Sequence, residues 1–239
     1  MENGLTLFAN SRAVSIDESK EKVEIEVKRN EETFSIEGKY LVIAGGAMFT
    51  PLIIKKNKLG DRYSEAGKHL KIHPANKVFA WFPELDHGEG GIPQGVGYRP
   101  PELPHITFEG VHTPKSMTGP MISVGGHHFK WWMDHHNQLA SFGLMLRDRA
   151  TGKVVATPDF PTMNYSLHPQ DAKDVIKGLK LIGEAFFNAG AKRVLLPIAG
   201  KTCGDFENLE SLKNLDENLE NGSDLGLSEI GRASCRERV

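Results

Sequence analysis

Cysteine is nearly absent: the 239 residues hold two, Cys203 and Cys235. Two thiols cannot build a disulfide framework, so nothing ties the fold to an oxidising compartment. An excess of one charge is also missing. Lysine and arginine number 29 against 31 aspartates and glutamates, a formal net charge of -2, which gives no electrostatic ground for a nucleic-acid or anionic-membrane partner. No apolar run approaches the about 20 residues that a transmembrane span needs. The longest, Tyr40 to Ile54, is broken by Gly45-Gly46 and Thr50-Pro51. The first residues, Met-Glu-Asn-Gly, lack the basic start and apolar core of a signal peptide. These absences favour a soluble, cytoplasmic setting. The sequence also has no Gly-x-Ser-x-Gly elbow, no Walker loop, no Gly-x-Gly-x-x-Gly dinucleotide fingerprint and no repeat of about 20–50 residues.

What is present is a folding composition, 39% hydrophobic and 25% charged, with 25 glycines and 13 prolines for loops. Leu5–Phe8 and Ala13–Ile16 read as short strands. Lys22–Lys28 alternates strictly, with Val23, Ile25 and Val27 on one face and charges on the other, as a half-buried strand does. Asn30, Glu31 and Glu32 supply a turn, and Thr33–Ile36 returns. Tyr40–Ile43 is continuously apolar, the pattern of a strand buried on both faces. Ala44-Gly45-Gly46-Ala47 follows at once. Thr50 is expected as the N-cap of a short helix, Pro51 in its first turn and Gly60 as its stop. Glycines that allow close backbone approach, next to the positive end of a helix, suit a phosphate-like acceptor. They equally suit a tight strand–helix turn that needs glycine for packing alone.

The composition changes near Lys77. Lys77–Phe82 reads as a strand, and residues 83–120 as loops with short strands such as His105–Phe108. Met121, Val124, Phe129 and Trp132 are compatible with a helix that Gly125-Gly126 weakens. Leu139–Leu146, Val154-Val155 and Met163–Leu167 are strand-like, with a polar turn at Arg147–Lys153. The strongest helix is Pro169–Ala189, where Val175, Leu179, Ile182 and Phe186 repeat at helical spacing and Gly190 closes the end. Lys192–Leu196 returns as a strand. Residues 205–224 are acidic, with Phe206, Leu209, Leu212 and Leu215 at amphipathic spacing. The class is α+β, with a largely antiparallel sheet and flanking helices.

Ten histidines raise the question of a metal. The pairs His127-His128 and His135-His136 are adjacent, so their side chains diverge on a helix. No Cys-x-x-Cys or Glu-x-x-His accompanies them, and no metal ligand is assigned. Phe79, Trp81, Phe82, Phe129, Trp131, Trp132 and Phe142 suit either a core or an apolar pocket. The last ten residues, Ile230–Val239, turn basic and carry no apolar period. They look like a translated sequencing-adapter oligonucleotide and are set aside as an artefact. The sequence proper then stops near Ser228, and its start, entering an alternating run directly, reads as a second cut.

Val42-Ile-Ala-Gly-Gly-Ala-Met-Phe-Thr-Pro-Leu-Ile-Ile54 closely resembles the second signature of the glucose–methanol–choline (GMC) flavin oxidoreductases. Gly46-Ala47, Thr50-Pro51 and Ile53-Ile54 match it, while Asn57-Lys58 stands where the family usually has Ser-Gly. Ala66-Gly-Lys-His-Leu-Lys-Ile-His-Pro74 is similar to the family's Gly-Arg-Asn-Leu-x-x-His-Pro element. Tyr165-x-Leu-x-Pro169 and Asn188–Pro197 resemble its substrate domain, and the likeness is closest to the long-chain-alcohol and sterol-oxidase-like branch.

The resemblance implies FAD as cofactor and a small-molecule, apolar alcohol as substrate, oxidised by hydride transfer to the flavin. It implies the later part of an FAD-binding domain over residues 1–75 and a substrate domain over 76–204. An acidic helix or linker over 205–229 would lead to a catalytic segment that this sequence does not contain. No catalytic residue is therefore assigned. By position in the motifs, Ala13 and Val14 would meet the adenine, and Ala44, Gly45, Gly46 and Thr50 would lie near the dinucleotide. His73 falls at the domain junction, where a structural role is favoured. The chain alone is expected to fold poorly and to turn nothing over. Two other classes stay open, a non-catalytic binding module built on the substrate domain and a histidine-based metal binder.

Overall fold

The computed structural model describes residues 4–19, 21–88, 94–149, 152–156, 160–198 and 204–215. In chain order these hold strands β1 (Ser11–Asp17), β2 (Val23–Arg29) and β3 (Glu32–Gly38), helix α1 (Gly46–Asn57), and strands β4 (Lys68–Leu70), β5 (Ala75–Trp81), β6 (Gln94–Tyr98) and β7 (Ile106–Val111). Then come α2 (Lys115–Thr118), α3 (Gly126–Asp134), β8 (Leu139–Leu146), β9 (Gly152–Ala156), β10 (Pro161–Asn164), α4 (Pro169–Asn188), β11 (Arg193–Leu195), β12 (Asp205–Phe206) and α5 (Leu209–Lys213). The described residues divide into two units: 4–70 with 152–166, and 71–149 with 167–215. Residues 152–166, which the sequence reading kept with the later part of the chain, thus pack with the earlier part.

The first unit contains two three-stranded sheets, ordered β1-β2-β3 and β10-β9-β4. The β1–β3 meander is antiparallel, and Asn30 turns β2 into β3 at φ 55°, a left-handed conformation that asparagine tolerates better than most residues. Val27 lies opposite Phe34 and is the one fully buried side chain of the three strands. Leu5–Phe8 forms no strand, and Leu5 and Leu7 are exposed. Tyr40–Ile43 departs furthest from expectation. It has no ladder partner among the described residues, and Tyr40 and Val42 are 90% and 86% exposed. A continuous apolar run is buried on both faces only if neighbouring strands flank it, and none of the described residues does so.

The second unit is built on a six-stranded sheet, ordered β12-β11-β5-β8-β7-β6, with each neighbouring pair antiparallel. Side chains alternate across a strand. On β5, Val78 and Ala80 go to one face and Phe79 to the other, and all three are buried. The first face, with Ile106, Phe108, Leu144, Leu146 and Val194, receives the apolar stripe of α4: Val175, Ile176, Leu179, Ile182 and Phe186. Each of those side chains contributes about 1.5–3 kcal/mol relative to exposure, so the α4–sheet contact dominates this unit. The second face holds Phe79, Ile122, Trp132, Leu139 and Leu195. Gly125 caps α3 and Gly126 opens it at φ 61°, so the two glycines start the helix rather than interrupting it. The expected acidic helix begins later than the spacing suggested. Phe206 pairs with Val194 in β12, α5 spans Leu209–Lys213, and residues 216–224, like 230–239, lie outside the described residues.

Gly67 is where backbone geometry is least forgiving. Its φ is +78°, an added Cβ would stand 2.8 Å from the Val154 carbonyl oxygen, and its own carbonyl accepts the Val154 N–H at 2.7 Å. Gly67→Ala is therefore expected to destabilise the first unit by about 1–3 kcal/mol, read as a lowered denaturation midpoint. An unchanged midpoint would show that the β4–β9 junction yields freely.

Candidate functional site

Ala44, Gly45 and Gly46 lie exposed at the entry to α1. The helix begins at Gly46 with Gly45 as its cap, so Thr50 is not the N-cap and Pro51 falls in the second turn. The reason is visible at the two glycines. Gly46 adopts φ 74°, which starts the helix four residues before Thr50. An added Cβ on Gly45 would stand 3.3 Å from both Thr50 Oγ1 and Ile53 Cδ1, so the backbone there folds closely over the helix. No side chain caps the α1 N-terminus and its first turn carries no acid. Among the described residues no side chain satisfies its first N–H groups, which leaves them to water or a ligand.

Ala13 and Val14 lie at a β-bulge. The β1–β2 register shifts between Ala13 and Ser15, which leaves Val14 off the ladder. Ala13 is exposed and Val14 half-buried. Lys56 Nζ donates to the Val14 carbonyl at 3.0 Å, and Asn57 Oδ1 accepts the Ile16 N–H at 3.0 Å while its Nδ2 donates to the Ile53 carbonyl at 2.8 Å. In the sequence Asn57-Lys58 stands only as a departure from a motif. In the structure Asn57 fastens β1 to α1, and Lys58 closes the helix at φ 54°. The signal that could have found this is asparagine with lysine at a helix end, where both favour C-terminal geometry.

The six cofactor candidates therefore form two groups. Lys56, which holds Val14, and Gly46 are ten residues apart along α1, about 15 Å at 1.5 Å per residue. Only an extended molecule reaches both. The residues present fit a dinucleotide at these two places, one offering uncapped N–H groups and the other a backbone segment released from its ladder.

In the second unit His73 has a structural setting. At φ 50° its N–H, and that of Ile72, are directed to the two carboxylate oxygens of Asp148 at 3.3 Å, and Asp148 is buried. The aromatic candidates separate by sheet face. Phe79 and Trp132 are buried in one core and Phe82 in the other, while Phe142 lines an apolar cavity of about 410 Å³ with Tyr98, Phe108, Leu181 and Phe186. Trp132 Nε1 donates to Asp205 at 3.1 Å, and Asp205 takes a two-point ion pair from Arg193, whose guanidinium lies 4.3 Å from the Trp131 ring. Among the described residues no group of His, Cys, Asp or Glu is placed to hold a metal ion, and no helix is long and apolar enough to cross a membrane.

Asp148→Ala is expected to leave the Ile72 and His73 N–H groups without their acceptor. Ile72 and His73 are themselves exposed, so water can replace the lost acceptor and the cost is about 0.5–1.5 kcal/mol for each hydrogen bond, checked by denaturant unfolding. Asp148→Asn, which keeps one acceptor oxygen, should lose less. Equal losses would mean that the carboxylate's other contacts carry the effect.

No family model matches the chain. It is 30% identical over 162 residues to an uncharacterized GMC-type oxidoreductase of Mycobacterium tuberculosis, an alignment covering 67% of this chain and 25% of that protein. It is 27% identical over 179 residues to a long-chain-alcohol oxidase of Arabidopsis thaliana, covering 69% of this chain and 24% of the relative. Among solved structures it resembles pyridoxine 4-oxidase from Mesorbium loti, with a TM-score of 0.51 and 13% identity over 80% of this chain and 42% of that one. The chain thus spans about a quarter of the length of these two curated relatives. It belongs to the GMC-type oxidoreductases, and its mixed α+β fold with antiparallel sheets is shared with that solved structure.

Proposed function

We propose that this GMC-type chain is part of an FAD-dependent oxidoreductase that oxidises an apolar alcohol. In this reading the first unit belongs to the cofactor-binding part and the second to the substrate-binding part. The observation that carries it is Tyr40–Ile43, a strand-like apolar run left exposed immediately before the Ala44-Gly45-Gly46 turn and the uncapped end of α1. Strands of the same protein laid beside that run would bury it. The turn would then stand at the carboxyl edge of a sheet, where open α/β folds bind nucleotides.

Bound FAD would supply the hydride acceptor. This chain's own part is to hold and orient. The first N–H groups of α1 would receive an anionic oxygen at the Ala44–Gly46 turn, with Thr50 packed behind Gly45. The freed backbone at Ala13 and Val14 would meet the base, with Lys56 fixing the Val14 carbonyl. None of the ten histidines is assigned the removal of the hydroxyl proton.

A second reading, a non-catalytic binding module, is favoured by one observation. The apolar cavity between α4 and β6–β8 has Glu102 as its only ionisable carboxylate and can hold aliphatic matter without performing chemistry on it.

The deciding experiment expresses the complete reading frame that contains this sequence. The expected product is yellow, and a long-chain alcohol bleaches its flavin absorbance under anaerobic conditions. Gly46→Val, which cannot keep φ 74° without strain, should lower the flavin content. A colourless product that binds the alcohol reverses the assignment in favour of the binding module. A flavoprotein that a primary aliphatic alcohol does not bleach removes the substrate class.

A further inference from the structure

Five polar side chains converge at one place on the second unit. Lys77 stands on β5 on the same face as Phe79, with its Nζ 5.1 Å from the Phe79 ring centre. It donates to Thr113 Oγ1 at 2.8 Å, Thr113 Oγ1 lies 2.8 Å from Thr118 Oγ1, and Thr118 Oγ1 lies 3.1 Å from His136 Nε2. His136 Nε2 also lies 3.1 Å from the Thr113 carbonyl oxygen. A carbonyl can only accept, so Nε2 carries the proton in this arrangement. His112 adjoins the group, its ring centre 6.1 Å from that of His136 and 5.4 Å from that of His87. Thr118 and His136 are buried, while Lys77, His87, His112 and Thr113 are partly open.

The chemistry of the cluster is one-sided. Lysine and three histidines meet, and among the described residues no carboxylate lies within ion-pair distance of any of them. The nearest acid by register is Glu109, which faces Gly143 across the β7–β8 ladder, while Gly143 in turn faces Lys77. The Val111 side chain, not a carboxylate, stands over Gly143, with its Cγ2 3.7 Å from where a Cβ there would be. Burial lowers the Lys77 ammonium to about 8. Burial, and then repulsion from His87, His136 and Lys77, lowers His112. Among the described residues no carboxylate answers the Lys77 ammonium, whereas proteins ordinarily pair a half-buried ammonium. Lys77 keeps two ammonium hydrogens beyond the one it gives to Thr113, and both Lys77 and His112 are partly open to solvent.

We propose that Lys77 and His112, braced by Thr113, Thr118 and His136, form a binding site for an oxyanion, the carboxylate or phosphate group of a small ligand. Every residue of the site belongs to the second unit, so its binding can be measured whether or not flavin is bound. A carboxylate or phosphate supplies the negative charge that the cluster lacks and accepts the charge-assisted hydrogen bonds that Lys77 has left to give. Thr113 and His136 set the position of the ammonium rather than touching the ligand.

The test uses the full chain, with its histidine rings followed by NMR through a pH titration in chloride, in inorganic phosphate and in acetate. The expected result is an upward shift of the His112 titration in phosphate or acetate, saturating with concentration. Lys77→Met should weaken that saturation about tenfold, the equivalent of one charged hydrogen bond. Lys77→Arg, which keeps charge and reach, should restore most of it. A response to acetate alone identifies a carboxylate ligand, and a stronger response to phosphate a phosphate ester. Titrations that coincide in all three salts overturn the site and leave the cluster as an internal hydrogen-bond chain. So does a response of equal strength in Lys77→Met, which would mark general ionic screening.

Discussion

Strand β5 carries side chains that must be buried in both directions, and the second unit is organised around that demand. Val78 and Ala80 are fully buried on one side and Phe79 on the other. A strand of this kind requires ladder partners on both edges and a cover on both faces. β8 and β11 provide the edges, α4 covers one face, and α3 with the loops around Ile122 covers the other. Gly178 shows how closely α4 is seated: an added Cβ would stand 2.4 Å from Leu144 Cδ1, deep in the core. Substituting that glycine would have to displace a buried leucine.

Charge inside this unit is tolerated where it is answered. Asp171 is fully buried in the first turn of α4, accepts the Arg149 N–H at 2.8 Å and takes the Arg149 guanidinium as well. Its position also suits the helix dipole. Asp205 is answered by Arg193 and Trp132, and Asp148 by the Ile72 and His73 N–H groups. The group around Lys77 stands apart because Thr113, Thr118 and His136 are joined to it by hydrogen bonds while its ammonium meets no carboxylate among the described residues. That contrast separates a packing device from a place prepared for a ligand.

In the first unit the same principle runs the other way. Apolar residues that ought to be covered are not: Tyr40 and Val42 lie open, as do Leu5 and Leu7. The meander holds through its own ladders, and α1 through Asn57 and Lys56 at its C-terminal end. Toward its N-terminal end α1 packs on β9 and β10, with Pro51 beside Gly67.

Periodicity legible in the sequence by itself determined the regular elements of this protein. The alternation of Val23, Ile25 and Val27, the apolar run Leu139–Leu146 and the helical spacing of Val175, Leu179, Ile182 and Phe186 each reflect a local rule, and β2, β8 and α4 follow them. The Val42–Ile54 motif likewise carried the family, because it needs only residue types at fixed spacing. Tertiary structure alone decided the rest. Whether Tyr40–Ile43 is a buried strand depends on partners distant in the chain. Where α1 begins depends on a positive φ at Gly46 that outweighs the capping preference of Thr50. That Lys77, His112, Thr113, Thr118 and His136 share one place follows from the sheet, which returns β7 and the loop before β8 to the side of β5. Spacing along a chain encodes which face a residue takes, but not which distant residue will stand beside it.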